Sequence, residues 1–584
     1  MTDLQDTDRH WGPLIGPDGV QFRLWAPGSE TLSLHLNGTD YPMDKRDDGW
    51  FALTRSAEDG AEYGFRLPDG RLFNDPAGHA QMGNVHSLSR LTVPSHDWQH
   101  PPSPRPWEEA VIYECHIGTF TPEGTFRAAI DRLDHLVDLG VTALELMPVA
   151  TFGGERGWGY DGTLLYAPHR AYGTPDDLRA LVDAAHGRGL MLLLDVVYNH
   201  FGPEGSYLHA LSPQFFDKER ETPWGPAIDY AEAPVRRFFI DNAVYWLTEF
   251  RFDGLRLDAI DHIRDTSEPE LLIQLARDVR ARMDRPVHLT TEDNRNVTYL
   301  HERGEDGSIP LMTAEWNDDW HHCAHVIATG ESEGYYVSFV EDPAGLLAKS
   351  AATGYSYQGE TYEGGAARGV PSGHLPPAAF VDFLQNHDQV GNRAVGERIA
   401  SLAAPDTIAA LQTILLLSPH IPLLFMGEEW AETHPFLFFA DFHDELGRAV
   451  TEGRRREFAG FMGHAASDVP DPIARATFEA SKIDWSKMDT EIGRETYERV
   501  RTLLHLRAEH VVPHLAGTEP DCGTVLEAPK GCAAVDWRLN GAVLHLRANL
   551  SNAVCDLPPA GGEIVHLTGA SEGAPCSAIF RISR

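Results

Sequence analysis

The chain has 584 residues, enough for two to four domains rather than a single core. Hydrophobic residues at 42% and aromatics at 10% exclude a disordered chain, and no run approaches the ~18 apolar residues of a membrane span. With 48 basic against 87 acidic residues, a formal net charge of −39, the surface repels nucleic acid and anionic membranes and favours a neutral partner.

The start, MTDLQDTDRH, lacks the basic head and apolar stretch of an export signal, which makes the cytosol the expected location. The six cysteines (Cys115, Cys323, Cys522, Cys532, Cys555, Cys576) form no C-x-x-C pair and have no metal-ligand spacing, so they read as buried or free thiols.

Residues 1–100 read as a β-sandwich. VQFRLWAP (20–27), TLSLHLNG (31–38) and EYGFRL (62–67) alternate apolar and polar residues and break at Gly, Pro or Asn. HPPSPRPWEE (100–109) is proline-rich and reads as a linker. From about 110, short apolar runs alternate with amphipathic stretches, as in a parallel sheet wrapped by helices. The expected strands are 111–117, 142–149, 190–197, 252–259, 287–293, 378–385 and 422–429, with one more in 311–340 to make eight. Helices are expected at 125–140 and 174–189, each ending at glycine, and at 494–510 to close the barrel. CAAVDWRL (532–539) and AVLHLRANL (542–550) are strands again. The expected architecture is multidomain α/β: an N-terminal β-sandwich over 1–100, a (β/α)₈ TIM barrel over 101–515 and a small C-terminal β-domain over 516–584.

Three carboxylates fall at or just beyond strand ends: Asp258 in GLRLDA, Glu292 in LTTED and Asp388 in FLQNHD. Any one of them alone reads as a helix cap. Together they suit glycosidic-bond hydrolysis, which needs two carboxyl groups flanking the anomeric carbon, ~5–5.5 Å apart if configuration is retained. Arg256 lies two residues before Asp258, on the same face of its strand, where a guanidinium lowers the pKa of its neighbour. His200 and His387 can donate to sugar hydroxyls, although either alone reads as a satisfied core histidine. Tyr160, in the glycine-rich WGYDG, either stacks on a sugar or simply packs.

The segments DVVYNH (195–200), GLRLDAIDH (254–262), TTED (290–293) and FLQNHD (383–388) resemble, in order and spacing, the sequence regions of the α-amylase family of glycoside hydrolases. The resemblance implies Asp258 as nucleophile, Glu292 as acid and base, and Asp388 as the carboxylate gripping sugar hydroxyls. His200, Arg256, His387 and His262 fall at or beside accessory positions. YECHIGTFTPEGTF (113–126), EWNDDWHH (315–322), ESEGYYVSF (331–339), QNHDQVGNRAVGER (385–398) and LLFMGEEWAETHPFLFF (423–439) are similar to the maltooligosyltrehalose trehalohydrolase branch of that family. That resemblance implies cleavage of the α-1,4 bond beside a terminal trehalose, with a neutral α-glucan oligosaccharide as partner and no cofactor or required metal. Asn199 matches a calcium-binding position of some relatives, but the following stretch lacks dense oxygen ligands, so it reads as a site residue. Trp316, Asp318, Asp319, His322 and Glu428 lie in branch-specific segments and are the expected contacts to the trehalosyl end.

Two rival readings remain at this point. One is an α-1,6 debranching hydrolase or branching transferase with the same carboxylates. The other is a non-catalytic glucan-binding protein, against which the retention of all three carboxylates argues.

Overall fold

The structure, a computed structural model, describes residues 9–102, 104–222, 225–362, 365–458 and 468–584. Its centre is a closed barrel of eight parallel strands: β1 (Ile112–Cys115), β2 (Ala143–Leu146), β3 (Met191–Val196), β4 (Gly254–Leu257), β5 (His288–Thr291), β6 (Ala314–Trp316), β7 (Phe380–Phe383) and β8 (Ile421–Phe425). The eighth strand sought in 311–340 is β6. Every residue of these strands is buried, because helices cover the outside and the strands fill the inside.

Strand alternation divides the interior into layers. Ile112, Ala143, Met191, Leu193, Val381, Ile421 and Leu423 pack one apolar cluster low in the barrel. Trp107 joins that cluster, and its indole donates to the Ala378 carbonyl at 2.8 Å. The proline-rich stretch is therefore linker only in its first part, because its tryptophan plugs the lower mouth of the barrel. Gly254 is required where β4 meets β5: a Cβ there would stand 2.2 Å from the His288 carbonyl oxygen.

The helix expected over 125–140 is two, Phe126–Ile130 and Leu133–Leu139. Tight i→i−3 bonds at Asp131 and Arg132 pinch it between them, and Gly140 ends the second in the left-handed region. The next helix, Pro175–His186, begins with a Thr174–Asp177 capping box and stops three residues before Gly189. Helix Glu491–His510 covers the barrel as expected. The hairpin Ala150–Phe152/Gly162–Pro168 and helix Asp444–Phe458 were not foreseen; the first carries the WGYDG loop.

Ahead of the barrel, two antiparallel sheets face each other over Phe22, Leu24, Leu34, Phe51, Tyr63 and Phe65, forming the sandwich. Trp11 ties them to the barrel, meeting Phe238 edge-to-face at 5.1 Å. A five-stranded antiparallel sheet ends the chain, and its Trp537 donates to Ala351 of a barrel helix at 2.9 Å. Among the described residues, no helix is long and apolar enough to cross a membrane.

Candidate active site

The upper layer of the barrel is polar. Register places Glu114 beside Glu145, and Asp195 beside Arg256, which itself neighbours Thr290. Arg256 is fully buried, and its guanidinium organises the layer. One terminal nitrogen donates to Asp195 at 2.7 Å and Asp258 at 2.8 Å, and the other donates to Glu292 at 2.6 Å. Its flat face lies 4.3 Å from the centre of the Trp316 ring.

Asp258 continues β4 inward. Directly after it, Ala259 adopts the left-handed conformation (φ +40°, ψ +54°), uncommon for a residue with a Cβ. That turn aims its N–H at the Glu292 carboxylate, 3.2 Å away. Strain next to two clustered carboxylates fits a functional site. Glu292 and Asp388 open onto a cleft of about 840 Å³, whereas Asp258, 8% exposed, is not part of its lining and is joined to Glu292 through Arg256.

One arginine cannot neutralise so many acids. Burial raises the pKa of Asp258, and Arg256 opposes this only in part. The net direction is opposite to the lowering expected from the Arg256 position alone. Burial likewise raises Glu292, with Arg256 opposing and the Asp258 charge adding, so its proton is held more tightly. Asp388 is raised by burial against the pull of His387, and Asp195 is pushed up to about 7, again mainly by burial.

His387 is the second cation. Glu114 accepts hydrogen bonds from its backbone N–H and from ring Nδ1, and both side chains are about 1% exposed. Burial alone would lower the imidazole, but the charges of Glu114 and Asp388 prevail and lift it to about 9.

The remaining predicted residues separate into groups. Tyr160 lies in the site: its hydroxyl donates to Asp195 at 2.6 Å and its ring stacks on His387, with centroids 4.9 Å apart. Gly159 before it takes φ +102°, and a Cβ there would meet the Pro148 carbonyl at 2.0 Å, so only glycine presents the tyrosine this way. Asn199 directs its amide to the Asp258 carboxylate at 3.4 Å and the Ala259 carbonyl at 3.2 Å, while its oxygen contacts His200. Those contacts use the side chain as a brace for Asp258 and leave it a poor calcium ligand. His200 is bound by protein at both ring nitrogens, through Asn199 and the Tyr160 carbonyl, and burial lowers its pKa to about 4. It shapes the Tyr160 loop rather than facing the cleft. His262 is exposed on the short turn Ile260–His262.

Asp318 and His322 line the cleft, as expected. Asp318 accepts from Gln389 at 3.2 Å and is raised to about 8 by burial and the Glu292 charge. Three other expected contacts sit elsewhere. Trp316 is buried beneath Arg256. Asp319 is wholly buried, accepting from Asn296 and from the backbone of Ser356 and Tyr357, and pairs with Arg368 at 3.1 Å. Glu428 is buried against the Phe425 N–H and Gln385, outside the cleft lining. Each has the right neighbourhood in sequence, but its place on its strand (Trp316) or helix (Asp319, Glu428) turns the side chain into the protein.

Sequence reasoning missed Glu114, Asp195, Tyr335 and Arg368. Glu114 and Asp195 stood inside quoted segments, each the last residue but one of its strand. Tyr335, in the quoted segment 331–339, reaches the cleft from the short 3-10 helix Gly334–Phe339, and Arg368 reaches it from a loop, where no periodicity marks it. Among the described residues, no group of three or more His, Cys, Asp or Glu is disposed to hold a metal ion.

The family description "Alpha amylase, catalytic domain" matches residues 70–221, and a domain of unknown function, DUF3459, matches residues 521–580. The malto-oligosyltrehalose trehalohydrolase of Deinococcus radiodurans is 42% identical over 511 residues, covering 86% of this chain and 83% of that protein. That of Saccharolobus solfataricus is 39% identical, covering 86% and 87%. A crystal structure from Salmonella typhimurium, provisionally described as an alpha amylase, superposes with a TM-score of 0.96 at 51% identity, covering 99% of this chain and 100% of that one. A pullulanase from Bacillus acidopullulyticus shares the fold at a TM-score of 0.70 and 17% identity, covering 98% of this chain and 75% of that one.

Proposed function

We infer the reaction from one premise: the chain belongs to the family of malto-oligosyltrehalose trehalohydrolases, glycoside hydrolases of the α-amylase class. The reading is hydrolysis of the α-1,4-glucosidic bond beside the terminal trehalose of a maltooligosyltrehalose. The products are trehalose and a shortened maltooligosaccharide that keeps its α configuration, a step in trehalose formation from α-glucans. The observation that carries it is the single guanidinium of Arg256 shared by Asp258 and by Glu292, which lines the cleft. Two carboxyls bound to the two ends of one guanidinium stand near the short separation of a retaining pair, ~5 Å.

Glu292, its proton held by burial, donates that proton to the departing trehalose oxygen as the anomeric C–O bond breaks. Asp258, braced by Arg256 and Asn199, forms the new bond to the anomeric carbon. Water then gives a proton to Glu292 and its oxygen to the same carbon, releasing Asp258. Asp388, beside the cationic His387, accepts hydrogen bonds from sugar hydroxyls and supports the positive charge that develops on the ring. A neutral oligosaccharide suits a chain of net charge −39, and free thiols at all six cysteines support a cytoplasmic location.

Incubation with maltotriosyltrehalose, maltopentaose and a branched glucan tests the reading. Rapid release of trehalose with slow attack on the other two is expected. Equal cleavage of maltopentaose would make it a general α-1,4-glucan hydrolase, and loss of branches would make it a debranching enzyme.

A further inference from the structure

We propose that Glu114 is a positioning residue whose carboxylate keeps His387 cationic, so that the imidazole presents a charged Nε2–H donor to the sugar in the cleft. This rests on the reading of the cleft as a glycosidase site.

The two groups come from either side of β8, which lies between β7 and β1 in the closed barrel. Glu114 lies on β1, and His387 follows β7 at the start of the short helix His387–Gly391. Glu114 receives the backbone N–H and the ring Nδ1–H together, which fixes the ring plane and leaves Nε2 as the free end. That end points toward Asp388, 3.6 Å away, at the rim of the cleft. The ring faces are held by Tyr160, stacked at 4.9 Å, and Trp158, edge-on at 5.8 Å, so the imidazole cannot turn to exchange its nitrogens.

Several charges act on the ring. Arg256 from β4 disfavours a second proton on it, whereas His116, after β1, is lowered to about 4 mainly by burial and carries no charge at neutral pH. Asp195, Asp258 and Glu292 favour it, but each is raised by burial and shares Arg256. Glu145 on β2 also faces the ring, and burial raises its pKa well above the ordinary range, so it gives little charge at neutral pH. The Tyr160 hydroxyl, 3.5 Å from Nδ1, donates to Asp195. Glu114 is the carboxylate hydrogen-bonded to Nδ1, while Asp388 stands 3.6 Å from Nε2. Removing the Glu114 charge takes away the largest favourable charge on a buried imidazole and leaves Asp388, itself raised by burial, against Arg256, so the proton is held less tightly.

The test is Glu114→Gln, whose amide oxygen can still accept the Nδ1–H while the charge is lost, with Glu114→Asp as the charge-retaining control. Histidine-selective ¹⁵N labelling reads the His387 titration without substrate. In the wild type, the ring should stay doubly protonated through pH 8, and in Glu114→Gln it should deprotonate at least one pH unit lower. On maltotriosyltrehalose, Glu114→Gln should match the wild type within about threefold near pH 5.5 and lose tenfold or more in kcat/KM by pH 8, and Glu114→Asp should keep the wild-type profile. Unchanged imidazole titration in Glu114→Gln would overturn the proposal, as would an activity loss equal at all pH values. If the substrate reading fails instead, the ¹⁵N titration still answers for Glu114.

Discussion

At the scale of single residues, the site depends on too little positive charge shared among too many acids. Arg256 serves three carboxylates, and His387 serves two. Glu292→Gln removes the transferable proton and should cost about 10²–10⁴-fold in kcat with KM little changed. Asp258→Asn should cost on the order of 10⁴-fold or more, read in the same assay, with thermal unfolding showing that both proteins fold. Because the pKa of Glu292 is raised, wild-type kcat should fall as pH rises through that value, and Glu292→Gln should lose this limb. The His387–Glu114 pair has a stability consequence too. An imidazole lifted to about 9 contributes stability that is fully present below the ordinary histidine range, ~6.5, and is lost as pH climbs through 9. A thermal midpoint that declines over that window in the wild type, and less in Glu114→Gln, is the expected outcome.

At the scale of elements, the direction each position takes on its helix or strand decides which neighbours in sequence become neighbours in the cleft. Asp318 and Asp319 are adjacent on one helix start, yet one lines the cleft and the other is buried under three N–H donors and Arg368. Asp319→Ala removes the buried counter-ion of Arg368 and the acceptor of the Ser356 and Tyr357 N–H groups and should cost about 3–5 kcal/mol of stability. A denaturant midpoint would show it. Selectivity for trehalosyl ends should follow Asp318 and His322 instead, and a folded Asp319→Ala with normal stability and altered selectivity would contradict this assignment. The turn at Ala259 is the comparable case in the backbone. Its left-handed geometry aims an N–H at Glu292, which no hydrophobic pattern announces.

At the scale of the whole molecule, the net charge of −39 acts as self-repulsion on the folded chain. Moving from about 0.01 M to about 1 M salt shortens the screening length from ~30 Å to ~3 Å and relieves that repulsion. The thermal midpoint should therefore rise with added sodium chloride. A fall would mean that the surface ion pairs outweigh the net charge. The three layers of fold are joined by tryptophans, Trp11 from the sandwich, Trp107 under the barrel and Trp537 from the last sheet. None of the three was legible as a joint in sequence.

By itself, the sequence determined the barrel, the flanking β-domains and the three carboxylates at the strand ends. It could do so because strand burial and chain order are local properties, written as apolar runs and period-two alternation. The tertiary structure alone decided how those carboxylates are charged. Asp258 and Glu292 share one guanidinium contributed by β4, and His387 finds its counter-ion on β1, 273 residues away. Such pairings depend on barrel closure, which brings the first strand against the last, and on burial, which no residue's own neighbours in the chain can reveal. For the same reason Trp316, Asp319 and Glu428 lay near the cleft in sequence and faced away from it in space.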